Sequence, residues 1–152
     1  MKIKPISFTV SFNGKAKALI TSINIYNTGD KNHNFKSVKD SYNALWDTGS
    51  NMTVISNALA EALNLNPVGE MLVDSVNGKF RTKKYVISIT LPNKLNIENL
   101  VVSSGNLGPG IDLLIGLDLI TLGDFSITNV NNRTVFSFRF PSTKVIDYVI
   151  EK

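Results

Sequence analysis

The residues with the most chemical content are Asp47, Thr48, Gly49 and Ser50, which follow the apolar stretch Ala44-Leu45-Trp46. A short apolar run of this kind reads as a buried strand that leads directly to the carboxylate. Gly49 has no side chain to clash, and it lets the backbone come close to that carboxylate. Backbone N–H groups can then bond an ionised oxygen. Standing alone, an aspartate in a turn can do no more than cap it, and a tripeptide needs context to mean anything. Other chemistries find less support. There is no cysteine, which excludes disulfides, thiolate metal sites and cysteine nucleophiles. The one histidine, His33, lies in the polar stretch 29–34, which reads as a surface loop, and no partner motif for a catalytic triad or a zinc site accompanies it. Asp112, Asp118 and Asp124 are evenly spaced, but they fall at a strand start and around a helix, with no loop of calcium-binding type. No metal and no cofactor is expected. The stretch 103–110 is glycine-rich but lacks the Gly-Lys-Ser/Thr of a phosphate loop, and it reads as a connection. Asn51-Met52-Thr53 and Asn132-Arg133-Thr134 fit the glycosylation sequon and are expected to be unmodified.

The elements that must position Asp47 are mostly short strands. The chain has 152 residues, 43% of them apolar and 18% charged, which fits one globular domain over 1–152. Ile6 to Phe12 alternates apolar and polar residues and meets Asn13-Gly14, a hairpin signal, with Ala16 to Tyr26 as the expected return strand. The polar stretch 27–40 reads as a surface insertion. Asn57 to Leu63 is the clearest helix, with Ser56 or Asn57 as its cap and Asn64 as a left-handed stop. Met71 to Val76 and Phe80 to Leu91 flank a second Asn-Gly, Asn77-Gly78, and predict another hairpin. Further strands are expected at Ile97 to Val102, Ile111 to Ile115, Phe125 to Val130 and Thr134 to Phe140, with a short helix near Leu117 to Leu122. The pattern is that of an all-β domain. The tail 141–152 contains Val145 to Ile150, apolar enough for another strand. No apolar run reaches the roughly 20 residues that span a bilayer. The start of the chain shows no run of signal-peptide length, so a soluble, cytoplasmic protein with no membrane partner is expected. The formal charge is +4, with a cluster at Lys79, Arg81, Lys83 and Lys84. On a strand, Lys79, Arg81 and Lys83 share one face, which reads as solvated rather than as a nucleic-acid surface.

Context for Asp47 comes from a second segment. Asp112-Leu113-Leu114-Ile115-Gly116-Leu117-Asp118 places two apolar residues before a glycine, and Leu114 lies 67 positions after Asp47 (114 − 47). Together with Asp47-Thr48-Gly49-Ser50, this resembles the retropepsin-like, single-domain aspartic proteases. The resemblance runs over about Ala44 to Phe140, and the hairpin predicted at Asn77-Gly78 falls where that family carries its flap. It implies a closed β-barrel or sandwich half-unit with one clear short helix and a β-hairpin flap. It implies Asp47 as the catalytic residue, and Leu114, Ile115 and Gly116 as the strand closing beside the active-site loop. It further implies that the Thr48 hydroxyl bonds to a partner loop and that the Ser50 hydroxyl donates to the outer oxygen of Asp47. Val76, Asn77, Gly78, Lys79 and Phe80 become flap residues placed to touch a substrate. Trp46 is bulkier than the residue common at that position in retroviral members.

Aspartic proteolysis needs two carboxylates that share one proton. The sequence holds a single Asp-Thr-Gly, so the second carboxylate must come from another subunit. The expected state is a two-fold homodimer acting on a peptide or protein, with Asp47 facing its own copy. In that dimer the first residues, Met1 to Phe8, and the tail would contribute to a shared sheet. A retropepsin-like module that binds or scaffolds without cutting is the alternative, since a fold does not guarantee an activity. A basic nucleic-acid-binding β domain is a weaker one.

Overall fold

Alternation sets the longest strand. Tyr85, Ile87 and Ile89 are buried while their neighbours are half-exposed, the period-two signature of a strand packed on one face. A computed structural model describes residues 4–27, 39–92 and 94–151. Its elements in chain order are β1 (Ile6–Ser11), β2 (Ile20–Asn27), β3 (Tyr42–Trp46), β4 (Val54–Ser56), α1 (Asn57–Ala62), β5 (Gly69–Ser75), β6 (Gly78–Thr90), β7 (Asn96–Gly105), β8 (Leu113–Ile115), α2 (Leu117–Ile120), β9 (Asp124–Thr128) and β10 (Val135–Phe140). A 3-10 turn at Val130–Asn132 joins the last two strands.

Six strands close on themselves in the order β2-β3-β8-β4-β7-β6, because the end of β6 pairs back onto β2 from Asn24↔Thr90 to Asn27↔Ile87. Closure removes the open edges that a flat sheet would expose. The first part of β6 leaves this barrel and pairs with β5 from Gly69↔Lys84 to Ser75↔Gly78. The result is the hairpin predicted at Asn77-Gly78. Its turn carries positive φ on Gly78, at 104°, and on neither Val76 nor Asn77. A separate three-stranded sheet, β1-β10-β9, lays Phe8, Phe125, Phe136 and Phe138 against Trp46 of β3. The buried core is built mostly from barrel residues such as Ile25, Ile55, Ile87, Ile89, Val102 and Leu113, and Phe136 and Phe138 of the three-stranded sheet join it at Trp46.

The helix expected at Asn57 to Leu63 is present as α1. Ser56 caps it, its hydroxyl accepting from Leu59 N–H at 3.1 Å, and Asn64 takes the left-handed conformation just after it.

Several expectations are corrected. Asn13-Gly14 is not the tip of a β1–β2 hairpin. Gly14 does adopt positive φ, at 98°, but β1 pairs with β10, and β2 starts only at Ile20. The aromatic contacts of Phe8 with Trp46, Phe136 and Phe138 are available only in that distant pairing, and they outweigh a local turn. The tail forms no strand among the described residues. Asp147 turns it instead, its carboxylate accepting from Val149 N–H at 2.9 Å and its carbonyl from Ile150 and Glu151 N–H at 3.2 Å. The second short helix stops at Ile120, earlier than expected. His33, most of the 27–40 insertion and Met1 to Ile3 lie outside the described residues.

Candidate active site

Strand β3 runs parallel to β8 with Trp46 opposite Ile115, and the pairing continues one step as Asp47 N–H donates to Ile115 carbonyl at 2.9 Å. Trp46 fixes the end of β3 from below. It is 4% exposed, its ring packs among four phenylalanines, and its indole N–H donates to the Thr21 hydroxyl at 2.9 Å. Asp47 then emerges half-buried at the barrel's rim. Its Oδ1 accepts the Gly49 N–H at 2.8 Å. A Cβ on Gly49 would sit 3.1 Å from that oxygen, so the close approach expected of this glycine is real. The other carboxylate oxygen has no hydrogen-bond donor among the described residues. Thr48 is exposed, with no partner for its hydroxyl among them.

The Ser50 hydroxyl does not reach Asp47. It donates to the Met52 carbonyl at 2.7 Å, while Ser50 N–H donates to the Asp47 carbonyl at 3.2 Å. A short hydroxyl side chain readily takes a local backbone acceptor two residues on, and here that bond turns it away from the carboxylate.

The segment Leu114-Ile115-Gly116 is sewn to this loop. Leu117 N–H donates to the Ser50 carbonyl at 2.8 Å and Asp118 N–H to the Asn51 carbonyl at 3.3 Å. Gly116 allows it: a Cβ there would lie 2.5 Å from the Met52 backbone. Two residues to which sequence reasoning gave no part in the site complete the lock. The Asp118 carboxylate accepts Thr53 N–H at 2.9 Å and the Thr53 hydroxyl at 2.8 Å, and that hydroxyl accepts Gly116 N–H at 3.3 Å. The signal was present as an aspartate two places after Gly116 and a threonine shortly after Asp47, but neither is legible without the crossing of the two loops.

The three aspartates weighed as metal ligands are dispersed. Asp118 holds Thr53. Asp112 binds Asn43 N–H and Lys39 Nζ, each at 2.9 Å. Asp124 binds Arg139, Ser142 and Thr143. Among the described residues no group of three or more acidic or histidine side chains could hold an ion.

A groove of about 420 Å3 opens beside Asp47, lined by Lys17, Leu19, Leu45, Ile127 and Asn129. The β5–β6 hairpin is attached at its base by a bond from the Thr82 hydroxyl to the Ser104 carbonyl. Alternation divides its residues. Phe80 pairs with Val73, with Met71 further down the same side. Lys79 and Arg81 take the other side, each within 3.7 Å of a carboxylate, Asp74 and Glu70 respectively. The basic cluster is thus partly neutralised on its own hairpin. Val76 at the tip is fully exposed. Among the described residues no helix is long and apolar enough to cross a membrane.

A family model described as "Aspartyl protease" matches residues 35–119, more than half of the chain. The chain belongs to this family. Its fold is similar to that of a retropepsin-like aspartic protease from Rickettsia conorii, at 12% identity and a TM-score of 0.53, covering 92% of this chain and 98% of that one. It is also similar to the EIAV protease complexed with the inhibitor HBY-793, at 18% identity and a TM-score of 0.53, covering 73% of this chain and 91% of that one. No curated protein sequence matches. The architecture is therefore retropepsin-like, mostly β with few helices.

Proposed function

We propose that the chain is one subunit of a homodimeric aspartic endopeptidase, in which Asp47 faces Asp47 of the partner subunit. The observation that carries this reading is the Asp47 turn. A single carboxylate stands at the barrel's rim with one oxygen held by Gly49 N–H, on a loop bonded throughout to the Gly116 segment. One carboxylate is half of the chemistry. In the pair, the ionised member takes a proton from water while the protonated member polarises the scissile carbonyl. Water adds to the carbonyl carbon, the pair passes a proton to the leaving nitrogen, and the C–N bond breaks. The Thr48 hydroxyl, exposed and unpartnered among the described residues, is proposed to bond across the dimer axis.

The substrate lies extended between the two Asp47 loops and the hairpins whose tips are Val76, Asn77 and Gly78, adding strand-like hydrogen bonds. Lys79 and Phe80 face opposite ways, so one side of the hairpin must meet the substrate. The apolar side with Phe80, Val73 and Met71 suits a substrate side chain better than the paired charges around Lys79.

The test is cleavage of a diverse peptide library across acidic and neutral pH, comparing the wild-type chain with Asp47→Asn. Wild-type cleavage with a bell-shaped pH profile and no cleavage by Asp47→Asn is the expected result. An amide can neither take a proton from water nor share one. Cleavage by Asp47→Asn at the wild-type rate would remove Asp47 from the mechanism.

A further inference from the structure

We infer that the carboxylate of Asp118 is the positioning residue of the Asp47 turn, acting through Thr53. This rests on the proposed protease reading. Thr53 is fully buried, and both of its donors go to one group: N–H to Asp118 Oδ2 at 2.9 Å and the hydroxyl to Oδ1 at 2.8 Å. Asp118 Oδ1 also accepts Leu119 N–H at 3.0 Å. Three neutral donors therefore converge on a carboxylate that has no ion-pair partner among the described residues. Only a carboxylate offers two acceptor oxygens in that fork; an amide offers one. The two-point grip fixes the orientation of Thr53 as well as its place.

From Thr53 the connection to Asp47 is continuous. The preceding residue, Met52, lies against Gly116, and its carbonyl accepts the Ser50 hydroxyl at 2.7 Å. Ser50 N–H in turn holds the Asp47 carbonyl at 3.2 Å. Loosening Thr53 releases residues 50–53 together, and with them the height at which Asp47 meets its copy. A displacement of about 1 Å transmitted from outside the reacting groups is enough to cost about 100-fold in rate. The chain of bonds from Thr53 to Asp47 contains no residue of the hairpin, which would hold the substrate. The effect therefore falls on kcat rather than on KM.

The experiment compares the wild-type chain with Asp118→Ala, Asp118→Asn, Thr53→Val, Thr53→Ser and the Thr53→Val/Asp118→Ala double variant. Rates are measured on one cleaved peptide, below the unfolding midpoint of every variant. Asp118→Ala and Thr53→Val are expected to lower kcat by about 10- to 100-fold with KM within about threefold. The double variant is expected to be no worse than either single one, since both cut the same link. Thr53→Ser keeps the hydroxyl and retains wild-type kcat, and Asp118→Asn keeps one acceptor and falls between. A second readout does not depend on cleavage: hydrogen exchange at the Gly49 amide, which lies on Asp47 Oδ1, is expected to quicken in Asp118→Ala and not in Thr53→Ser. Asp118→Ala with a lowered unfolding midpoint but wild-type kcat and wild-type Gly49 exchange would overturn the inference. A wild-type chain that cleaves no peptide would sink the proposed function instead, and Gly49 exchange alone would then decide the role of Asp118.

Discussion

Ser50 shows how a single side chain separates two mechanisms. Had its hydroxyl donated to Asp47, it would have stabilised the ionised form and drawn the acid limb of the rate profile to lower pH. Its bond runs to the Met52 carbonyl instead. Ser50→Ala is accordingly expected to lower kcat evenly across pH and to leave both limbs in place, with about 1 kcal/mol lost in stability. Rate profiles of the two proteins decide it: an acid limb displaced to higher pH in Ser50→Ala would restore a direct contact. Asp124 has the opposite character, with a defined electrostatic role among partners outside the Asp47 loop. The Ser142 hydroxyl, the Thr143 N–H and the Arg139 guanidinium together hold its carboxyl at about 2, below its ordinary value of 3.8, against the opposing effect of burial. Its folded pKa lies below the unfolded one, so it stabilises the fold above 3.8 and that contribution is lost as pH falls to about 2. Asp124→Asn should therefore be less stable than wild type at neutral pH, and the gap should close on acidification. Urea midpoints from pH 7 to pH 2 measure this; a gap independent of pH would show that Asp124 titrates normally.

At the scale of elements, β3 joins the core to the loop. Trp46 is the only tryptophan, so intrinsic fluorescence reports on the strand that carries Asp47. Emission is expected to be blue-shifted in the folded chain and to move red on unfolding. Trp46→Ala removes a buried ring from four aromatic neighbours and should cost about 3–5 kcal/mol. Trp46→Phe keeps an aromatic ring but leaves the Thr21 hydroxyl, 4% exposed, without its indole donor, at a cost of about 1–3 kcal/mol. Denaturant midpoints by circular dichroism test both, and equal costs would mean that the indole N–H bond carries the whole effect. The same strand marks what was legible in the sequence. Local signals held where the structure they specify is local: Ser56 caps α1, Asn64 stops it, and Asn77-Gly78 turns a hairpin whose strands are adjacent. Asn13-Gly14 misled because the partner of β1 lies at the far end of the chain, and no turn residue encodes that pairing. The Asp47 and Gly116 segments were legible through resemblance, since a tripeptide gains meaning only with its companion. The Thr53–Asp118 grip was not, because it exists only once the two loops cross.

At the scale of the molecule, the proposed dimer has to account for an exposed surface as well as for the site. The tail beyond Pro141 is anchored at its start by Asp124, through Ser142 and Thr143. Past that anchor it exposes Val145, Tyr148, Val149 and Ile150, each at least 70% accessible. Fully burying such a side chain is worth about 1.5–3 kcal/mol, so leaving four of them in water is costly unless a second surface covers them. Asp47 likewise lacks the carboxylate that the proposed chemistry requires. A second copy of the chain would answer both deficits, with the tails in the interface and the Asp47 turns facing each other across the axis. Removing residues 145–152 while keeping Thr143 preserves the Asp124 anchor and leaves the barrel and the Asp47 loop intact. That truncation is expected to shift the sedimentation boundary toward monomer and to lower activity steeply at low protein concentration. Raising the concentration should recover activity, because the site itself is unharmed and only its assembly is weakened. A truncated chain that sediments as the wild type does, with activity unchanged on dilution, would show that the tail has no part in joining the subunits.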